Sequence, residues 1–197
     1  MKAKTILATV TAVLCAVALA LPAAAAAKVE WTKEGKALTA NATIELEGWS
    51  GFSSEAGGIA CPLTAASATL EPGSTGKITA LEIEFPALCE TEGGLAGCSV
   101  TEAETGGLPW TIHADLNHNV QVTGLFMIFE LNGFLCPAEI VSINDKENVH
   151  GVLDNSQQAS SVELQGTVAT SLGAVMGQME GELDITPEQT YGITAHE

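Results

Sequence analysis

The strongest constraint in this sequence is a two-residue alternation of apolar and polar side chains that recurs in segment after segment. Leu38, Ala40, Ala42, Ile44 and Leu46 fall on one side of an extended chain, with Thr39, Asn41, Thr43, Glu45 and Glu47 on the other. Leu81, Ile83 and Phe85 alternate with Glu82 and Glu84. Near the end, Val175, Gly177, Met179, Gly181, Leu183 and Ile185 alternate with Gln178, Glu180, Glu182 and Asp184. Successive side chains of a strand point to opposite faces, so this period describes antiparallel strands buried on one face. Helical periodicity is nearly absent, and only Ala56 to Ala68 offers a weak helical alternative. Val120 to Leu131 is apolar on both faces from Leu125 onward, which predicts a central strand covered on both sides.

Turn-forming residues separate these runs at short intervals: Glu71-Pro72-Gly73-Ser74, Asp115 to Asn119, Asn144 to Asn148, and Asp154-Asn155-Ser156. Many short strands between such turns predict an all-β fold, an antiparallel β-sandwich or barrel-like domain of about 9–12 strands. No fixed-period repeat suggests a propeller or solenoid.

The amino terminus has a different character. Lys2 and Lys4 precede an apolar run from Ile6 to Leu21, then Pro22 and five alanines, Ala23 to Ala27. Positive n-region, apolar h-region and small-residue cleavage site together read as a secretory signal peptide over residues 1–27. Residues 28–197 then form a single all-β domain, long enough to bury one proper core. Cys15 lies inside the signal after Leu14, where a lipoprotein would need a small residue, so it is expected to be discarded. The mature protein is expected to be secreted or held at the cell surface, with no membrane span after cleavage.

Four cysteines remain: Cys61, Cys89, Cys98 and Cys136. An even number in an exported chain predicts disulfides, and three connectivities are open. Gly93, Gly94 and Gly97 favour a short link between Cys89 and Cys98, leaving Cys61 with Cys136. A zinc site is the rival use of four cysteines, but the chain has no C-x-x-C pair.

Charge narrows the partners. The full chain carries −17, and loss of the two signal lysines makes it −19, with no arginine and five lysines remaining. Nucleic-acid binding needs cations to replace phosphate counterions, so it is excluded, and anionic membrane surfaces are disfavoured. The acids alternate along strands, which suggests a solvated sheet face that keeps the protein soluble.

Chemistry-bearing motifs are sparse. There is no G-x-S-x-G nucleophile turn, and His113, His118, His150 and His196 show no metal-binding spacing. His113 and His118 flank one turn and could meet across a hairpin. Asp115-Leu116-Asn117-His118-Asn119 begins like a calcium loop, but Val120 stands at the turn-glycine position and Phe126 at the bidentate-glutamate position. No catalytic residue and no metal ligand is therefore assigned. No cofactor is expected, with weak calcium binding by loop carboxylates such as Glu90, Glu92, Glu102 and Glu104 left open. Trp110 is expected to begin a strand and fill the core. Trp49, between glycines in Gly48-Trp49-Ser50-Gly51-Phe52, is the candidate exposed contact.

Gly94-Leu95-Ala96-Gly97-Cys98, Leu108-Pro109-Trp110-Thr111-Ile112-His113, Phe134-Leu135-Cys136-Pro137 and Thr190-Tyr191-Gly192-Ile193 resemble uncharacterised exported proteins of high-GC actinobacteria. The likeness covers roughly residues 57–194 and implies structure without an activity. The reading that follows is an exported, non-enzymatic β-domain that binds an extracellular or cell-envelope ligand or serves structurally. The alternatives are a secreted hydrolase with paired carboxylates, and a carrier of small apolar ligands inside a hollow barrel. Carboxyl groups about 5–10 Å apart in a groove would favour the first alternative, and an apolar cavity of a few hundred cubic ångströms the second.

Overall fold

A computed structural model describes residues 28–117, 119–145, 149–154, 160–172, 176–187 and 189–196. The expected signal peptide with Cys15, His118, and parts of the turns at 144–148 and 154–156 lie outside the described residues. The strands are β1 (Lys28–Lys33), β2 (Lys36–Ala37), β3 (Ala42–Ser53), β4 (Gly58–Leu70), β5 (Thr75–Ile83), β6 (Glu90–Glu92) and β7 (Ser99–Thr105). They continue as β8 (Trp110–Ala114), β9 (Asn119–Thr123), β10 (Phe126–Asn132), β11 (Ile140–Asp145), β12 (Val149–Asp154), β13 (Ser161–Thr170), β14 (Met176–Thr186) and β15 (Tyr191–His196). The all-β expectation holds, with more strands than the alternation alone suggested.

Eight strands close into an antiparallel barrel in the order β12-β9-β8-β5-β4-β3-β14-β13, and β12 pairing with β13 completes the circle. The long strands behave as their alternation requires. On β14, Met179, Leu183 and Ile185 are buried while Gln178, Glu180, Glu182 and Asp184 face water. On β3, Ile44 and Leu46 point inward and Thr43, Glu45 and Glu47 outward. Trp110 starts β8 and is fully buried, its indole N–H donating to the Gly106 carbonyl at 2.9 Å.

One end of the barrel is covered by a small sheet, β15-β1-β2. It is fixed by Trp31, whose indole N–H donates to the Thr75 carbonyl at 2.9 Å, and by the buried Ser160 hydroxyl, which donates to the Tyr191 carbonyl and accepts its N–H. Past the other end, β3, β4, β13 and β14 run on beyond the barrel. There β6 adds to β4, while β11, β10 and β7 extend from β13. These segments extend the apolar core beyond the barrel, where Phe52 of β3 faces Phe129 of β10 with ring centres 6.1 Å apart. Both disulfides lie in this lobe.

Three local expectations are corrected. Phe85 does not continue the buried face of Leu81 and Ile83, because β5 ends at Ile83 and the chain turns away with Phe85 exposed. Ala56 to Ala68 is not helical, because β4 spans most of it and uses its small residues, Ala66 and Ala68, to line the crowded barrel interior. Val120 to Leu131 is not one central strand. Gly124 takes a left-handed φ of 88°, which an L side chain resists, and its N–H donates to the Asp145 carboxylate at 2.7 Å. The chain therefore leaves the barrel after β9 and enters the disulfide lobe as β10, with Glu130 exposed and Phe126 and Ile128 half-buried.

Candidate functional site

The disulfides join Cys61 to Cys89 and Cys98 to Cys136, which overturns the pairing favoured from sequence. Strand register explains the difference. β4 pairs with β6 through Ile59↔Thr91 and Ala60↔Glu90, so the next residues, Cys61 and Cys89, meet with Cα atoms 4.1 Å apart. β7 pairs with β10 through Ser99↔Asn132, which brings Cys98 opposite Gly133. A turn, closed by the Cys136 N–H donating to the Gly133 carbonyl, then delivers Cys136 at 5.1 Å from Cys98. The glycine-rich segment from Cys89 to Cys98 does fold back, but the Thr91 hydroxyl bridges it by donating to the Cys98 carbonyl at 2.8 Å. The two crosslinks are thus neighbours.

Ten large apolar side chains are exposed among the described residues, and their placement is uneven. Leu63, Phe85, Leu88, Phe134, Leu135 and Ile140 each lie within four residues of a disulfide cysteine, and Trp49 shares a groove with Cys61. Phe134 and Leu135 are the extremes, at 101% and 81% exposure on the β10–β11 loop. Isolated exposed apolar residues are ordinary, whereas two adjacent, almost fully exposed ones such as Phe134 and Leu135 stand out. Sequence reasoning took Phe134-Leu135-Cys136-Pro137 for a structural cysteine motif only. The available signal was two large apolar residues beside Gly133 in a probable loop.

Trp49, the sequence candidate, is 40% exposed on β3. The β3–β4 ladder loses register between Gly48 and Ser50, where Pro62 and Leu63 stand against Trp49. Trp49 continues the outward face of Thr43, Glu45 and Glu47, and Pro62, which has no N–H to give the ladder, lies at the bulge beside it. On its other side β3 is held tightly by β14, since any Cβ at Gly48 would collide with the Glu182 carbonyl. Two shallow hollows of about 120 Å³ and 270 Å³ adjoin Trp49, and a third of about 260 Å³ lies beyond Pro62.

The barrel interior is the other candidate. Its lining is wholly apolar, from Trp31 and Tyr191 at the covered end to Leu46, Trp110, Val122, Leu164 and Met179. The free space within is about 60 Å³. Ligand pockets commonly hold about 300–1,000 Å³, so this interior is largely a filled core.

Polar chemistry is dispersed. His113 is exposed on β8, with its Nδ1 3.4 Å from the Ser74 hydroxyl. Asp115 spends its carboxylate on its own loop, accepting from the backbone N–H groups of Asn117 and Asn119 and the Asn119 amide. Partial burial pushes this carboxyl up, but those hydrogen bonds and the nearby His150 outweigh it, so it is held below the usual carboxylate value. No group of three or more His, Cys, Asp or Glu residues is placed to hold a metal among the described residues. Glu90 and Glu92 flank the Trp49 hollows, whereas Glu102 and Glu104 lie on β7.

Compared with known proteins, residues 1–193 match the family model described as alkane oxidation protein activator PraA/PraB-like. No curated protein and no solved structure matches the chain.

Proposed function

The chain belongs to the alkane oxidation protein activator PraA/PraB-like family, and from that premise we propose that it is an exported, non-catalytic accessory protein that engages apolar material at its disulfide lobe. The carrying observation is the near-full exposure of the adjacent Phe134 and Leu135, beside the Cys98–Cys136 crosslink. Burying each of those side chains in an apolar phase is worth about 1.5–3 kcal/mol. The acidic, arginine-free surface keeps the protein dissolved, and Phe134 and Leu135 supply the adhesive contact. Two disulfides suit an oxidising compartment and agree with export. Contact with a long-chain hydrocarbon surface would then aid oxidation carried out by another protein.

The test is adsorption to hexadecane droplets in water, with bound protein measured after flotation. Replacing Phe134 and Leu135 by serine should weaken adsorption about a hundredfold, since about 3 kcal/mol of burial is lost. Undiminished adsorption by that variant refutes the assignment of the surface, and turnover of alkane by the purified chain alone refutes a non-catalytic role. The closed apolar barrel favours a second reading, an internal carrier, although its space of about 60 Å³ would have to enlarge. Native mass spectrometry after incubation with dodecane distinguishes the two, because only the carrier retains bound ligand away from any interface.

A further inference from the structure

We infer that the row of hollows around Trp49 is a docking site for an extended, basic segment of a partner protein. The hollows adjoin one another: the first two share Trp49, and the second and third share Pro62. Together they form a shallow trench over β3 and β4, open to solvent along its length. A compact small molecule would find little enclosure there, whereas an extended chain could lay successive side chains into successive hollows. The floor is mostly apolar, and the indole stands on the outward face of β3 beside the β3–β4 bulge.

The ionisable groups lining the trench are all of one sign: Glu47, Glu84, Glu90, Glu92 and Glu180. None of them is within ion-pair distance of a lysine among the described residues, whose only such pairs are Lys28–Glu30 and Lys77–Glu71. An exposed indole attracts Lys or Arg over its face, and flanking carboxylates accept from the same cations. The carboxylates are spread over three hollows rather than gathered about one point, which does not suit a single metal ion. A second copy of this chain is a poor occupant too. It has no arginine and few lysines, so two copies would oppose like charges across the interface. Charge complementarity therefore selects a basic protein segment.

The test titrates the folded, disulfide-bonded protein with a short peptide alternating arginine and serine. A glutamate–serine peptide and tetramethylammonium serve as controls, and affinity is read by calorimetry at low and high salt. The basic peptide should bind, more weakly as salt rises, and the acidic peptide should not. Trp49→Ala should weaken binding about tenfold, on the scale of a cation–π contact, and so should Glu90→Gln with Glu92→Gln. The pair Glu102→Gln with Glu130→Gln removes the same charge from residues that line none of the hollows, and should leave affinity unchanged. Equal loss in the two pairs would mean attraction by bulk charge and would overturn the site. Full affinity in Trp49→Ala, no binding at all, or complete displacement by tetramethylammonium would overturn it as well. Should Trp49→Ala misfold, the glutamate pairs decide alone.

Discussion

Replacing Cys98 and Cys136 together by alanine removes one crosslink and leaves the other intact. The two loops, of 28 and 38 residues, follow each other along the chain without nesting, so their contributions should be nearly independent. In the chain-entropy account a 38-residue loop is worth about 3.9 kcal/mol and a 28-residue loop about 3.6 kcal/mol at 25 °C. In a chain of this size 1 kcal/mol moves the melting temperature by about 2–4 °C. The double variant should therefore melt about 8–16 °C lower, and removing Cys61 and Cys89 together should cost nearly the same. The assay is thermal unfolding followed by circular dichroism, paired with thiol titration in denaturant. Each matched double variant should show no free thiol. A mismatched variant lacking Cys61 and Cys136 should leave two, or a new link with an altered melting temperature. If the Cys98/Cys136 variant instead exposed two free thiols and lost the stability of both crosslinks, the register argument that pairs Cys61 with Cys89 would be wrong.

Further outcomes follow from single side chains. Trp110→Ala empties a fully buried indole site and deletes its hydrogen bond to Gly106, so denaturant unfolding should show a loss of about 3–5 kcal/mol. Glu102 and Glu130 stand directly opposite each other on β7 and β10, and like charges so placed repel. Glu130→Lys should raise stability by about 0.2–1 kcal/mol, and the gain should shrink at high salt; no gain at low salt refutes the repulsion. Asp115 is held below its usual carboxylate value in the folded state, so its contribution is present above its unfolded value and lost as pH falls through the folded one. The melting temperature of the native protein should therefore drop further in acid than that of Asp115→Asn, and parallel acid profiles would refute the role of the loop hydrogen bonds.

Where burial was one-sided, the sequence was legible. β14 and the first half of β3 could be traced residue by residue, because a slip of one position would drive Glu180 and Glu182 into the core. Barrel closure was not: β12 and β13 form a local hairpin, but the circle also needs β14, near the end of the chain, to pair with β3, near its start. β4 misled through composition: its alanines match helical preference, yet a narrow barrel needs small inward residues at Ala66 and Ala68. Trp49 could be singled out from its glycine neighbours, but the groove beside it depends on Pro62 lying across the ladder, thirteen residues on. The cysteine pairing failed for a related reason. Nearness in sequence favoured Cys89 with Cys98, while β6 carried Cys89 to β4 and β10 carried Cys136 to β7.

The corrected pairing alters what the crosslinks accomplish. A nested pair would have tied distant segments and left the β10–β11 loop held at one point within a long span. The observed links are sequential and each lies beside exposed apolar residues. Phe134 and Leu135 occupy a turn fixed on one side by β10 pairing with β7 and on the other by Cys136. A free loop carrying two such residues would gain by folding them against the lobe, since each buried side chain is worth about 1.5–3 kcal/mol. Between Gly133, whose missing Cβ lets it pass close to Cys98, and the half-buried Cys136, that collapse has little room. On the proposed reading the covalent links therefore hold an apolar surface outward, ready for contact without prior rearrangement. Reduction should then weaken adsorption to hexadecane even at temperatures where the reduced chain stays folded. Unchanged adsorption by a folded Cys98→Ala/Cys136→Ala protein would show that β10 pairing alone keeps Phe134 and Leu135 exposed.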